Sequence, residues 1–212
     1  MELKRFGTIP RALISIVLCI CVALLSFWAT NTETAGTNFA LTAGGIQASA
    51  KIVGFGTFSN GIRQGEFENY SSDFGGKFGE YGSATIRSNI LSLNRLKVGD
   101  RVDFSVGFTQ KSASKTQYRF VLECINDKYL LYGGLKVTVR SSYIPSTEFT
   151  CAYDGENPMA VISDWVSFPD GVTEDTVRVS ISLPASSAEY AGCGTQVSVC
   201  IQVVKKSIIV LS

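Results

Sequence analysis

Along residues 91–123 apolar and polar side chains alternate with a period of two, interrupted by the corner Lys97-Val98-Gly99-Asp100 and then by a short polar loop. Val102, Phe104, Val106 and Phe108 fall on one side of the pattern; Arg101, Asp103 and Ser105 fall on the other. This is the mark of a strand with one face buried and one face wet. The alternation recurs at Val177, Val179, Ile181 and Leu183 against Arg178, Ser180 and Ser182. Phe120, Leu122, Val197, Val199 and Ile201 complete the expected core-facing set. The corner reads as a turn, with glycine supplying an unusual φ and Asp100 bonding local backbone. Nothing beside Asp100 could serve it as an acid/base partner.

Runs of this kind repeat. A strand is expected at 46–53, and seven more runs follow: "ATIRSNILSL", "RVDFSVGF", "QYRFVLECI", "GLKVTVRS", "AVISDWVSF", "VRVSISLP" and "QVSVCIQVV". Glycine, proline or polar turns separate them. Brief helices are expected only near 157–163 and 184–190. The pattern predicts an all-β chain folded as a two-sheet β-sandwich over 46–206, with a jelly-roll or immunoglobulin-like path and a tail at 207–212. Residues 54–83 depart from it, interleaving glycines and aromatics almost without aliphatics. That stretch reads as an insertion or long hairpin outside the core. Its Phe55, Phe58, Phe67, Tyr70, Phe74, Phe78 and Tyr81 could present flat apolar faces to a ligand such as a glycan, or pack on their own sandwich.

The amino end carries an address. Lys4, Arg5 and Arg11 precede an uncharged apolar run at 12–29. Residues 1–29 are therefore read as a cleaved signal peptide or a retained membrane anchor, and either leaves the remainder secreted or at the cell surface. Cys19 and Cys21, inside the run, are small hydrophobes. In an oxidising compartment Cys124, Cys151, Cys193 and Cys200 are expected to form at least one disulfide, with three connectivities open.

Composition narrows the chemistry. The 212 residues suit one domain, and 19 basic against 18 acidic residues give a net charge of +1, which disfavours nucleic acid and anionic membrane surfaces as partners. There is no histidine, which removes the commonest general base and zinc ligand. No cofactor or metal and no catalytic residue is expected. Glu66 and Glu68 share a face if extended and read as a solvated hairpin face; Asp154-Gly155-Glu156-Asn157 carries calcium-compatible oxygens without EF-hand spacing and reads as a turn. Asn69-Tyr70-Ser71 is a glycosylation sequon.

The order of these features resembles the secreted TasA and camelysin family of Gram-positive bacteria: an apolar export segment, "NFALTAGGI", "ILSLNRLKVGDRVDFSVGF", and "SISLPASSAEYAGCGTQVSVCIQVV". Phe39, the corner from Leu96 to Asp100, and Tyr190-Ala191-Gly192 occupy the family's motif positions. Val98 stands in place of the usual proline and Ala191 in place of the usual glutamine. The resemblance implies a jelly-roll-like sandwich, exported with the help of a signal peptidase, that polymerises with itself or with other matrix proteins into extracellular fibres. It also implies strand donation from the segment 30–45, placing Asn31, Thr37, Asn38, Phe39 and Leu41 in the donor. Some members are classed as metallopeptidases, a chemistry that would lack histidine ligands here.

Overall fold

The structure, a computed structural model, describes residues 32–36, 38–43, 46–64, 68–70, 73–111, 116–125, 130–153 and 158–205. The expected export segment, the tail at 207–212, and Asn31, Thr37, Glu66, Phe67 and 154–157 lie outside the described residues.

Two antiparallel sheets form a jelly-roll-like sandwich. From the amino end, β1 (Thr32–Gly36) joins sheet I, and β2 (Asn38–Ala43) with β3 (Ile46–Ser59) makes a hairpin of sheet II that β4 (Ile62–Gln64) extends. β5 (Glu68–Tyr70), β6 (Asp73–Phe78), β7 (Gly82–Arg87) and β8 (Ile90–Asn94) run as a meander in sheet I. The chain then alternates between sheets. β9 (Asp100–Gln110) enters II and β10 (Thr116–Cys124) enters I; after a short helix α1 (Leu130–Gly134), β11 (Lys136–Arg140) and β12 (Thr147–Thr150) return to II. β13 (Ala152–Tyr153) and β14 (Pro158–Met159) pair with each other, while β15 (Val161–Ile162) and β16 (Val166–Ser167) add to the edge of β10. β17 (Glu174–Ser182) lies in II, a 3₁₀ turn covers Ala185–Tyr190, and β18 (Gly194–Lys205) closes sheet I. Sheet I runs β10-β18-β8-β7-β6-β5 and sheet II β12-β11-β17-β9-β3-β2.

The alternating positions meet between the sheets. The expected core residues are all buried, with Val102, Val106, Phe108, Phe120, Leu122, Val177, Ile181, Val197 and Val199 fully so. Their outward neighbours remain wet except Val121, which lies at the β15 edge, so the period of two in the sequence becomes the inside and outside of each strand. At one end Tyr118 of sheet I stacks on Phe108 of sheet II, ring centroids 5.6 Å apart, and on Phe168 at 4.7 Å. Its hydroxyl donates to the buried Asp175 carboxylate of β17, tying the sheets together with a polar bond inside the apolar stack.

The corner before β9 forms as read. Gly99 sits at φ 88°, and Asp100, buried at 3% exposure, accepts from the Lys97 backbone N–H at 2.9 Å and from the Ser59 hydroxyl at 2.5 Å. Its carboxylate is consumed in holding the turn and the end of β3.

Three expectations are corrected. The stretch 54–83 is not an insertion: it supplies the second half of β3, then β4 to β6 and the start of β7, spanning both sheets. Its glycines serve packing. A Cβ on Gly76 would come within 2.5 Å of the Thr57 side chain, so only glycine lets β6 approach β3 this closely. The helix expected near 157–163 does not form over the described residues 158–163: Pro158 and Met159 pair with β13, and Val161 and Ile162 with the edge of β10, where Phe120 N–H donates to the Ser163 hydroxyl at 2.9 Å and Ser163 N–H returns to Phe120 O at 3.0 Å. Conversely α1 was not expected, since five residues are too few for a helical period to show.

Phe104, 2% exposed, faces Val179 on one neighbouring strand and Phe55 on the other. Phe104→Ala is expected to cost about 3–5 kcal/mol in urea unfolding by opening a cavity between the sheets. A loss below about 1 kcal/mol would mean that this position does not anchor the core.

Candidate functional site

Two features stand out once the core is set aside: an edge of sheet I and the outer face of sheet II.

β18 lies inside sheet I. One side is paired with β10 from Val197 to Lys205. On the other side β8 covers only Gly194 to Ser198, and Val199 N–H bonds to Asn89 O in the turn before β8 at 2.7 Å. From Cys200 to Val204 the partner is β1, in the register Thr32↔Val204 to Gly36↔Cys200. The segment expected to be a donor thus completes the half-edge of β18 within its own chain. Asn38, Phe39 and Leu41 fall on β2, opposite Lys51, Ala50 and Ala48 of β3. The amino-terminal segment therefore serves both sheets, β1 in I and β2 in II, with residue 37 between them.

Among the described side chains the aromatic set does not form one platform. Phe55 and Phe78 are buried in the core at 5% and 4% exposure, and Phe74 stacks on Phe55 across the sheets at 6.1 Å. Phe58 is half-buried under the Arg101 guanidinium, 4.4 Å from its centroid. Tyr81 is exposed; Tyr70 is placed only as part of β5. A ligand reading built on this segment is left, among the described side chains, with two separated rings.

No disulfide joins Cys124, Cys151, Cys193 and Cys200 in this structure, against the expectation of at least one. For Cys124 and Cys200 the register gives the reason: Cys124 lies opposite Val197 and Cys200 opposite Val121, and their side chains leave opposite faces of the sheet. Cys151 is buried beneath α1, its N–H bonded to Leu135 O at 2.9 Å. Burial pushes its thiol up to about 12, with the Tyr132 hydroxyl opposing and Cys124 adding to the rise. The Tyr118 and Tyr132 phenols are also raised, burial being the main cause, helped by the bond to Asp175 in the first case and by Cys151 in the second. No group of three or more His, Cys, Asp or Glu is placed to hold a metal among the described residues. No helix of the described residues is long and apolar enough to cross a membrane.

The outer face of sheet II was not singled out from the sequence. It carries two adjoining open grooves of about 1220 and 590 Å³, which share Arg140 and Arg178. Alternation alone puts these arginines on wet faces; that they stand directly opposite each other, on β11 and β17, is a matter of register. Beside them the floor is small, with Ser105 of β9 and Gly54 of β3 continuing the same row. A bulge between Ile52 and Gly54 turns Val53 outward, 49% exposed, over Gly107.

No protein-family model and no curated protein matches the sequence. Among solved structures the chain is similar to the CBM36-1 domain of a multidomain xylanase from the hindgut metagenome of Trinervitermes trinervoides, at 13% identity and TM-score 0.32, covering 84% of this chain and 100% of that one. It is similar to the xylan-binding module CBM15 at 8% identity and TM-score 0.31, covering 74% and 97%. It is also similar to the Stig cyclase Fisc from Fischerella sp. TAU at 12% identity and TM-score 0.36, covering 82% and 100%. Likeness at this level assigns no activity.

The raised thiol and phenols fix a direction for alkaline stability. Each group keeps its proton in the fold beyond the point at which the unfolded chain releases it, from 9.0 for the thiol and 10.0 for the phenols. Their contribution is therefore complete below pH 9 and is lost as pH rises through the folded values. The urea midpoint should fall steadily above pH 9, and less steeply in Cys151→Ala. A midpoint level up to pH 11 would show that these groups titrate as in the open chain.

Proposed function

We propose that the protein is an exported structural component of the cell surface or extracellular matrix, joining copies of itself by exchange of its amino-terminal strand. The observation that carries this reading is the half-edge of β18. Among the described residues, nothing but β1 covers Cys200 to Val204 on that side, and β1 belongs to the segment that precedes the sandwich proper. An uncovered strand edge leaves backbone donors and acceptors without partners, and any strand of suitable register satisfies them. The same five-residue register can therefore be filled from the chain itself or from a second copy, the physics of β-augmentation. In the single subunit β1 closes the edge in cis; exchange between subunits would make an open, head-to-tail chain.

The resemblance to the TasA and camelysin family supports the same reading, with copies of itself or other matrix proteins as partners and a signal peptidase acting during export. The role is mechanical rather than enzymatic: the one buried acid that the sequence brought forward, Asp100, is spent in a turn.

Thr34→Pro/Ala35→Pro removes two adjacent N–H groups from β1, whichever of them faces β18. The variant should keep a β-sheet circular dichroism spectrum, since β3 onward builds the core, yet form no filaments in negative-stain micrographs under conditions where the unaltered protein does. A synthetic peptide spanning 30–43 should shorten filaments of the unaltered protein by occupying free edges. Filaments of normal length from the proline variant, or none from the unaltered protein at any concentration, would rule the reading out.

A further inference from the structure

The outer face of sheet II has a composition that neither folding nor strand exchange requires. Its two grooves lie end to end along the strands. From Thr109 to Arg101 on β9 they extend over about 27 Å at a rise of about 3.4 Å per residue. Five cations line them against three carboxylates. Two of those carboxylates are already engaged: Asp175 is turned inward to the Tyr118 hydroxyl, and Asp103 is held by Arg101 at 3.0 Å and by the Ser180 hydroxyl at 2.6 Å. Glu174 is the remaining acid, in the groove that also holds Lys51, Arg140 and Arg178.

Arg140 and Arg178 are the decisive pair. They occupy directly opposed positions of adjacent strands, are both exposed, and have no ion-pair partner among the described residues. Like charges placed so destabilise a sheet. The arrangement therefore works against the fold while presenting two guanidinium forks side by side, the geometry that takes carboxylates bidentately.

We infer that this face binds an extended acidic polysaccharide, one bearing carboxylate groups along its length. Arg140 and Arg178 take the carboxylates at the junction of the two grooves. Ser105, Ser180 and Thr138 offer hydroxyls to the sugar, and Lys51 attracts the chain where it runs on toward Thr109. The groove is open, as a polymer passing through requires. The face suits a protein partner poorly, because among its described side chains Val53 is the one large exposed aliphatic and buried apolar anchors are what protein interfaces rest on. Single-stranded nucleic acid would need free aromatic faces for stacking, and the Phe58 ring is capped by Arg101.

Affinity electrophoresis of the full chain in gels containing polygalacturonate tests the inference, with fully methyl-esterified polygalacturonate as the neutral match and oligothymidylate as the anionic alternative. Retardation is expected in polygalacturonate alone, and is expected to vanish in about 1 M salt, where screening shortens to about 3 Å. Arg140→Gln/Arg178→Gln should weaken binding by about a hundredfold, roughly tenfold for each charge-assisted contact. Its thermal midpoint should equal or exceed that of the unaltered protein, because the like-charge pair is relieved. Should that variant fail to fold, Lys51→Gln, on an exposed position, carries the test with an expected loss of several-fold. Absence of retardation, equal retardation by the esterified polymer, stronger retardation by oligothymidylate, or full binding by a folded arginine variant would each overturn it.

Discussion

The backbone of β18 constrains much of this structure. It is a twelve-residue strand inside a sheet, so both its edges must find partners, and no single strand on its second side is long enough to supply them. β8 serves its first half, the turn at Asn89 serves Val199, and β1 serves the rest. The amino-terminal segment is thereby drawn onto sheet I before the chain crosses to sheet II and begins the β2–β3 hairpin. A strand recruited from the start of the chain to finish an edge at its end is held by backbone bonds, and such bonds are indifferent to which copy of the chain provides them.

The space between the sheets answers a different demand. Aliphatic rows from β9, β10, β17 and β18 fill most of it, and aromatic rings close its ends: Phe108, Tyr118 and Phe168 at one, Phe55 with Phe74 elsewhere. Polar atoms enter where they can be fully bonded. Tyr118 and Asp175 satisfy each other across the sheets, and Asp100 satisfies the corner that launches β9. Satisfied groups of this kind hold the packing around them in one arrangement.

Edge and outer face are two independent resources of one sandwich. The edge is a main-chain feature and supports association of like with like. The face of sheet II is a side-chain feature, a shallow floor of glycine, serine and threonine beside the opposed Arg140 and Arg178, and the proposed binding of an acidic chain along the strands rests on it. A matrix protein with both would join to its own kind through β1 and to surrounding polymer through Arg140 and Arg178 without either function obstructing the other, since β1 belongs to sheet I and the grooves to sheet II.

The amino-acid order by itself determined the long alternating strands β9, β10, β17 and β18 and their buried faces. Val102 to Phe108 and Val177 to Leu183 alternate because each was to be covered on one side, and a period of two survives in the sequence whatever the strand pairs with. The turn at Gly99 and Asp100 was legible for the same reason, being a local matter of φ and one side-chain bond. What lay beyond reach was everything that depends on register. Phe55 and Phe78 read as rings of a loop outside the core, facing a ligand or packed on the sandwich, because glycines surround them in sequence, and are core because β3 and β6 bring them between the sheets. Cys124 and Cys200 sit on neighbouring strands yet stay apart, on opposite faces and three residues out of step. Arg140 and Arg178, 38 positions apart in the chain, are joined into one site solely by the pairing of β11 with β17. Alternation is written residue by residue, whereas the lateral neighbours of a strand are chosen by the whole chain as it closes its edges, so the faces were set by the sequence and the sites by the tertiary fold.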